Sequence, residues 1–273
     1  MPEKSQADSP ETIRNPQSAI RNQIIHRPPF IIHHFATLGS TNDQLKQMTD
    51  APELTCVVAD EQTAGRGRRD RAWHSTPGDG LYLSVLLRPA LPSEKIPLLS
   101  LMCAVVVAEA VGGFHPAGID IKWPNDVLVN ERKLGGILIE GASVGADAPR
   151  LIAGIGVNLN HRSFPSELSK TATSLAIECG HQLNLPEFRD QLLVTFAEWY
   201  ERLRHGGRLI IGRWQQLSSY AIGKPVVVTL DDEQFTGVTD GLTETGALRL
   251  RTASGETRTI IAGEVSRLRS GVD

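Results

Sequence analysis

The sequence contains few cysteines, and their arrangement excludes a cross-linked or cysteine-bound metal fold. Its 273 residues include only Cys56, Cys103 and Cys179, which lie far apart and form no Cys-x-x-Cys pair. An odd number of widely spaced cysteines argues against the disulfide framework that is typical of small secreted domains. We therefore expect a reducing, cytoplasmic location.

Long apolar runs and strong positive charge are also missing. In our interpretation no stretch reaches the length of a membrane-spanning helix, and the first residues, MPEKSQADSP, lack the apolar core of a signal peptide. The net charge of −3 argues against a general nucleic-acid binder, although it does not exclude a local basic patch. These absences predict a globular chain with neither a membrane nor DNA as its partner.

The order of the hydrophobic patterns predicts a large mixed region followed by a small β region. Residues 1–28 are rich in proline, polar and charged residues, which predicts a poorly ordered tail with a helical turn near 18–25. Residues 29–220 carry strands and amphipathic helices, and we expect them to form the catalytic domain. Short strands alternate with turns in residues 221–273, which indicates a small β-barrel.

The most unusual composition lies in residues 65–73, Gly-Arg-Gly-Arg-Arg-Asp-Arg-Ala-Trp. Four arginines within six residues repel one another, so we expect this loop to become ordered only when an anion neutralises it. Taken alone, the loop fits a solvated surface, a nucleic-acid patch or a phosphate-gathering loop equally well. Its place between two core strands, and Trp73 at its end, favour a nucleotide pocket.

A second unusual stretch, residues 121–140, predicts a β-hairpin with a tight polar turn. Gly135 and Gly136 interrupt its second strand, and paired glycines in a strand indicate that another group approaches the backbone closely. Lys133 stands beside them, where it can deliver a positive charge to a carboxylate or phosphate that lies on the glycine backbone.

The segments around this hairpin carry further polar candidates. Before it, Lys122 can face phosphates, and Asp126 either ties the turn or holds Mg²⁺ or a ribose. After it, alternating glycines clear one face of the strand 151–160, so a flat ligand can rest there, and Asn158 points to the same side. For Asn158 alone, a structural role is the simpler interpretation. Near residue 40, the segment Gly-Ser-Thr-Asn-Asp predicts a capped helix start whose hydroxyls and amides can also line a pocket.

Together these features predict a site that stabilises charge. The sequence lacks a Ser-His-Asp spacing, a His/Cys metal set, a Walker lysine and a Rossmann glycine motif. Positive groups outnumber candidate nucleophiles, which favours electrostatic catalysis. We therefore predict that a small carboxylate attacks the α-phosphate of a nucleotide while Lys133 and the arginines hold the anions and Mg²⁺ shields the pyrophosphate.

Four motifs in this order resemble the biotin protein ligases: residues 65–73, Lys-Trp-Pro-Asn-Asp at 122–126, Lys-x-x-Gly-Ile-Leu-x-Glu at 133–140 and Gly-x-Gly-x-Asn at 154–158. The resemblance covers about residues 30–270. It implies an α+β fold, with a mixed-sheet catalytic domain of the class II aminoacyl-tRNA-synthetase and biotinyl/lipoyl-ligase type and an SH3-like β-barrel domain. It also implies that biotin and ATP give biotinyl-5′-AMP, and that a lysine of the biotin carboxyl carrier protein of acetyl-CoA carboxylase then attacks the acyl carbon.

The residues and the resemblance together predict a site without a protein-bound metal. The predicted catalytic residues are Lys133, Arg66 and Arg68. The predicted biotin-binding residues are Ser40, Thr41, Asn42, Gln62, Arg66, Gly67, Arg68, Lys133, Gly135 and Gly136. The predicted nucleotide-binding residues are Arg69, Arg71, Trp73, Lys122, Asn125, Asp126 and Asn158, and the resemblance implies that the loop 65–73 orders over the intermediate.

The sequence differs from the family pattern at two places, and three alternative functions are weighed against the ligase function. Asp70 stands where the family loop commonly has glycine, and it adds a negative charge among the arginines. Residues 1–28 are too few for the helix-turn-helix domain of some family members, so we expect a monofunctional ligase; a homodimer through an exposed sheet edge is compatible with the sequence. A lipoate or octanoate ligase is disfavoured by the Arg-rich loop, a nucleic-acid-binding protein by the net acidity, and an inactive scaffold by the presence of Lys133 and the arginines.

Overall fold

The computed structural model describes residues 23–115, 118–142, 149–230 and 233–267, which form two β-sheets with covering helices. The helices are α1 (Thr41–Gln47), α2 (Pro97–Gly112), α3 (Leu175–Cys179), α4 (Leu185–Arg204) and α5 (Arg208–Leu217). The first sheet contains β1 (Gln23–Arg27), β2 (Phe30–Leu38), β3 (Thr55–Gln62), β4 (Gly80–Leu87), β5 (Ile119–Lys122), β6 (Asp126–Val129), β7 (Arg132–Gly141) and β8 (Leu151–Asn158). The second contains β9 (Ile222–Leu230), β10 (Glu233–Leu242), β11 (Leu248–Arg251), β12 (Thr257–Ile260) and β13 (Glu264–Arg267).

The large sheet is mixed and has the order β1-β2-β3-β4-β8-β7-β6-β5. Strands β2 and β3 are parallel, and the other neighbours are antiparallel. Helix α1 connects the parallel pair and packs on one face, while α2 covers the other face. Because helices cover both faces at the centre, β4 is buried along its whole length, as its continuous apolar run predicts.

Helix α2 forms the centre of the core between the sheet and helices α4 and α5. Its apolar side chains are buried around its whole circumference, which explains why its sequence shows no polar face. By length and composition, the helical segment Ser93–Gly112 would be able to cross a membrane, so the expectation that no stretch is long enough is wrong. Most of this segment is buried inside the protein, which gives its apolar character a structural reason.

Strand β1 corrects the prediction for the N-terminal segment. Gln23–Arg27 pairs with β2, so the helical turn expected near 18–25 is wrong where it overlaps the strand. The physical reason is local: Ile24 and Ile25 are β-branched, and Pro28 cannot continue a helix and favours an extended residue before it. The rest of the predicted tail lies in residues 1–22, outside the described residues.

The second sheet is antiparallel and has the order β12-β11-β10-β9-β13, which confirms the small C-terminal β domain. Its last two strands, β12 and β13, are separated by a short turn. The division falls before Gly263, whose φ of +141° is a conformation that favours glycine. Residues of the resulting turn contact the Arg-rich loop.

Candidate active site

The predicted site residues, except Arg69 and Gly135, line a cavity of about 840 Å³ on the α1 face of the large sheet. This volume is within the range of small-molecule sites. Cross-strand neighbours share a face, so Gly154 lies beside the buried Ser84, and Gly136 lies beside Gly156. The three glycines line the cavity floor. Gly154 and Gly156 are the alternating glycines that were predicted to clear one face of their strand, and the structure confirms that they share one face.

The start of α1 and the end of β3 form a polar, uncharged wall of this cavity. The backbone nitrogen of Thr41 donates to Gln62 Oε1 at 2.9 Å, and the Thr41 hydroxyl lies 3.1 Å from the same oxygen. Ser40 occupies the N-cap position, as expected, but its side chain makes no capping hydrogen bond, and the residue lines the cavity. This wall offers hydroxyl and amide groups to a neutral polar ligand group.

Asn42 is buried, and its side-chain amide is engaged by neighbouring residues. Its Nδ2 donates to Glu140 Oε2 at 2.6 Å, and its Oδ1 accepts from the Ser84 hydroxyl at 2.5 Å. A Cβ atom on Gly154 would lie 2.5 Å from Asn42 Oδ1, so glycine at this position makes room for the amide. Sequence reasoning missed Ser84; the only available signal was a hydroxyl within an otherwise apolar buried strand.

Two lysines and one aspartate form a compact charged cluster at the hairpin. Lys133 Nζ lies 2.6 Å from Asp126 Oδ1, and Lys122 Nζ lies 3.3 Å from Asp126 Oδ2. Burial raises the pKa of the Asp126 carboxyl, but the two lysines outweigh this effect and hold the pKa below its ordinary value. The cluster therefore carries a net positive charge at the cavity wall.

The hairpin holds Lys133 rigidly by its backbone. Asn130 and Glu131 both have positive φ angles, +49° and +62°, which is the conformation of a tight two-residue hairpin turn. The backbone nitrogen of Lys133 donates to Thr171 O at 2.7 Å, and Thr173 N donates to Lys133 O at 2.9 Å. The predicted hairpin is confirmed, and its second strand is held by backbone hydrogen bonds with Thr171 and Thr173, which follow β8 in the chain.

The Arg-rich loop is folded back on itself and places its arginines in different surroundings. Its ends meet at a backbone bridge between Arg66 and Ala72, and a 3-10 turn spans Arg68–Asp70. Arg69 has a φ of +55°, is exposed, and is not among the residues that line the cavity, so the structure does not place it at the predicted nucleotide site. The side chain of Asp70 lies outside what the structure describes, and the anion-dependent ordering of the loop stays a prediction.

Arg68 and Arg71 line the cavity and also contact the C-terminal domain. Arg68 Nη1 lies 3.4 Å from both Asn125 Oδ1 and Gly263 O, and Arg71 forms an ion pair with Glu264. Burial and the neighbouring arginines lower the pKa of Arg68. Because the hydrogen-bond partners of Arg68 are neutral oxygens, its charge is well placed to attract an anion.

Trp73 covers the glycine face on which a flat ligand was expected. A Cβ atom on Gly156 would lie 2.6 Å from Trp73 Cε2, and one on Gly136 would lie 3.1 Å from Trp73 Cζ3. The bare face is therefore occupied by the indole ring, with Lys133 Nζ 5.5 Å from the ring centroid. Within the described residues the buried Nε1 of Trp73 has no hydrogen-bond partner.

Gly135 is placed away from the cavity, which corrects its prediction as a ligand-binding residue. Successive residues of a strand face opposite sides, so Gly135 and Gly136 cannot both face the cavity. A Cβ atom on Gly135 would lie 3.0 Å from Gly156 O and 3.6 Å from Val107 Cγ1 of helix α2. Gly135 thus permits close packing of the core, whereas Gly136 lines the cavity.

Two predicted nucleotide-binding asparagines use their side chains to hold backbone. Asn158 Nδ2 donates to Thr173 O at 3.0 Å, and Asn125 Nδ2 donates to Ile137 O at 2.9 Å. Both line the cavity. These contacts support the structural interpretation of Asn158, while its position keeps it within reach of a ligand.

Three aromatic side chains that were not predicted form a cluster beside the cavity. His161 stacks on Phe164, with ring centroids 5.0 Å apart and an interplanar angle of 15°, and His74 lies 5.8 Å from His161. Burial lowers the pKa of His161, so this ring is neutral near pH 7. His74 and Phe164 face the cavity, which gives it apolar, planar surfaces beside its charged groups.

The described residues contain no group of three or more His, Cys, Asp or Glu side chains suited to a metal ion. Asp126 does not fit the role of a magnesium ligand, because both of its oxygens are held by lysines. Any Mg²⁺ would therefore enter on the phosphates of a nucleotide, as part of the substrate.

Comparison with known proteins matches this geometry to one family. The sequence model described as the biotin/lipoate A/B protein ligase family matches residues 35–158, and that of the biotin protein ligase C-terminal domain matches residues 221–268. A biotin–[acetyl-CoA-carboxylase] ligase from Paracoccus denitrificans is 34% identical, over 84% of this chain and 98% of its own length. The bifunctional ligase/repressor BirA of Bacillus spizizenii is 39% identical, over 76% of this chain and 64% of its own length.

A solved structure gives the same result for the fold. The biotin protein ligase from Aquifex aeolicus in complex with biotin and ATP superposes with a TM-score of 0.77 at 32% identity, over 88% of this chain and 99% of that chain. The chain belongs to the biotin protein ligase family. The mixed-sheet catalytic domain and the small C-terminal domain expected from the sequence are thereby confirmed.

Proposed function

We propose that this chain is a biotin–[acetyl-CoA-carboxylase] ligase, which activates biotin with ATP as biotinyl-5′-AMP and transfers the biotinyl group to a lysine of a biotin carboxyl carrier protein. The observation that carries the proposal is the division of one cavity into two chemically different ends. The wall formed by Thr41 and Gln62 suits a neutral polar ring system. The lysines around Asp126, together with Arg68, suit a carboxylate and phosphates.

In the first step the biotin carboxylate oxygen attacks the α-phosphorus of ATP, and pyrophosphate leaves. Both reactants are anions, so bringing them together requires positive charge at the point of contact. Lys133 lines the cavity at its charged end and is fixed by its backbone contacts, so it can neutralise the carboxylate and the transferring phosphate together. Arg68 supplies a second charge from the loop side.

In the second step the acceptor amine attacks the acyl carbon, a C–N bond forms, and AMP leaves. AMP is a good leaving group only while its phosphate is stabilised, which again falls to Lys133 and Arg68. Asp126 is poorly suited to accept the amine proton because its pKa is held below its ordinary value. Its function in this proposal is to orient Lys133 and Lys122.

The comparisons support this assignment over the alternatives. The Paracoccus denitrificans relative and the Aquifex aeolicus structure are named as biotin ligases, and the match to a biotin protein ligase C-terminal domain favours biotin over lipoate. The identity of the carrier protein, the cytoplasmic location and the homodimer stay predictions.

Transfer of labelled biotin to a biotin carboxyl carrier domain, with ATP and Mg²⁺, tests the proposal. We expect the natural chain to transfer biotin and Lys133→Ala to lose about 10²–10³-fold in rate, the usual effect of removing one charge-stabilising donor. Lys95→Ala, which lies outside the cavity lining, is the matched control and should keep the natural rate. Acceptance of lipoate or octanoate instead of biotin would contradict the proposal and move the chain to the lipoate ligases.

A further inference from the structure

The guanidinium group of Arg66 is held by the neighbouring helix α1. Arg66 Nη1 lies 2.6 Å from Asp43 Oδ2, and Arg66 Nη2 lies 2.6 Å from Asp43 Oδ1. Two parallel N–H···O bonds to one carboxylate are the strongest and most directional form of ion pair that arginine makes. Arg66 Nη2 also lies 3.8 Å from Glu140 Oε1. The terminal nitrogens of Arg66 are therefore committed to protein carboxylates.

The charges around this contact are balanced. Lys46 Nζ lies 2.9 Å from Glu140 Oε1 and 3.5 Å from Asp43 Oδ1. The cluster of Asp43, Lys46, Arg66 and Glu140, which we call the α1 clamp, contains two positive and two negative groups. Arg66 therefore contributes little net charge to the cavity, unlike Arg68, whose partners are neutral oxygens.

Both ends of the clamp lead directly to the cavity. Asp43 follows Asn42 in α1, and Asn42 lines the cavity floor. Arg66 belongs to a loop whose backbone is closed by hydrogen bonds from Gly67 N to Arg71 O at 2.7 Å and from Trp73 N to Gly65 O at 2.9 Å. A shift of Arg66 relative to α1 would therefore move Trp73 over the glycine face.

We propose that the Arg66–Asp43 ion pair is a positioning pair, which fastens the Arg-rich loop to α1, so that the guanidinium group of Arg66 acts through the helix and not by contact with substrate. This inference rests on the proposed ligase function and refines it, because Arg66 was predicted as a catalytic and biotin-binding residue. Asp43 was absent from the predicted site, and the structure assigns it a role equal to that of Arg66.

A double-mutant cycle tests the proposal, using Asp43→Asn, Arg66→Gln and the double variant, with kcat/KM for biotin as the measured quantity. If the two side chains act only through each other, each single variant loses about tenfold and the double variant loses the same tenfold. The corresponding cycle on the exposed pair Glu198–Arg202 of α4, whose charged atoms are 3.6 Å apart, is the control and should show no loss.

Two results would overturn the positioning role. One is loss of activity in Arg66→Gln with none in Asp43→Asn, which would mean that the guanidinium group of Arg66 contacts substrate. The other is a loss of about a hundredfold in kcat/KM in the double variant, the product of the two single losses, which would mean that the two side chains act independently. Amide hydrogen exchange over residues 64–75 gives a readout without turnover, and both single variants should raise it equally. That measurement remains decisive for the clamp even if the natural chain fails to transfer biotin, so the two proposals fail separately.

Discussion

Replacing Gly156 by alanine should displace Trp73 and weaken the nucleotide end of the site. The added Cβ would lie 2.6 Å from Cε2, 2.8 Å from Cζ2 and 2.9 Å from Nε1 of Trp73. Carbon atoms in contact normally keep about 3.5–4.0 Å, so the ring must move by roughly 1 Å. Overpacking of this kind costs about 1–3 kcal/mol in unfolding free energy, and a misplacement of about 1 Å at a reacting site can cost about 10²-fold in rate.

Thermal unfolding and kcat/KM for ATP measure the two effects separately. We expect Tm to fall by roughly 2–12 °C, since about 1 kcal/mol corresponds to about 2–4 °C for a chain of this size. Gly141→Ala is the matched control, because its Cβ would meet nothing within 4 Å. In a Trp73→Ala background the stability loss caused by Gly156→Ala should disappear. If the loss persists there, the clash is not with Trp73 and the explanation of the glycine face is refuted.

Three further predictions follow from the same geometry. Gly135→Ala should lower the unfolding free energy by about 1–3 kcal/mol with little change in kcat/KM. Gly136→Ala should instead lower kcat/KM with little change in the unfolding free energy. If the two variants had the same effects on stability and activity, the opposite facing of these glycines would be contradicted. Because the pKa of Asp126 is held below its ordinary value of 3.8, its ion pairs contribute stability that is present above that pH and is lost as the pH falls through the lowered pKa. Urea unfolding of Asp126→Asn should thus depend less on pH below about 4. The side chain of Glu178 is 6% exposed, and its Oε1 lies 2.7 Å from Arg132 Nη2. Glu178→Ala should therefore lower the unfolding free energy by about 2 kcal/mol. A loss below about 0.5 kcal/mol in urea unfolding would contradict this.

Local patterns predicted the elements that depend on local sequence. Strand β4 coincides with the apolar run of residues 80–87, and the long helix α4 begins after Asn184, whose side chain accepts a hydrogen bond from Glu187 N at 3.2 Å. The hairpin that carries Lys133 was predicted because its polar turn separates two apolar strands. In each case the hydrophobic period and the turn residues are contained within one segment.

Features that depend on distant contacts were not predicted. The polar composition before residue 29 gave no indication of β1. This strand is stabilised by its pairing with β2, which the local sequence does not show. Nothing near Arg68 in sequence points to Gly263, and nothing near Arg66 identifies Asp43 as its partner. The opposite facing of the paired glycines was predictable from strand alternation, but the pair was interpreted as one feature.

The glycines at 135 and 136 have a mechanical consequence for the protein. At this point the sheet has no side chain on either face, so Trp73 approaches the backbone from the front and Val107 of helix α2 approaches it from behind. Because no flexible side chain separates the strand backbone from helix α2 here, a bound ligand that displaces the strand would also displace the packed core. Genetic selection for altered substrate acceptance should therefore recover substitutions at Val107, a fully buried residue that no substrate touches.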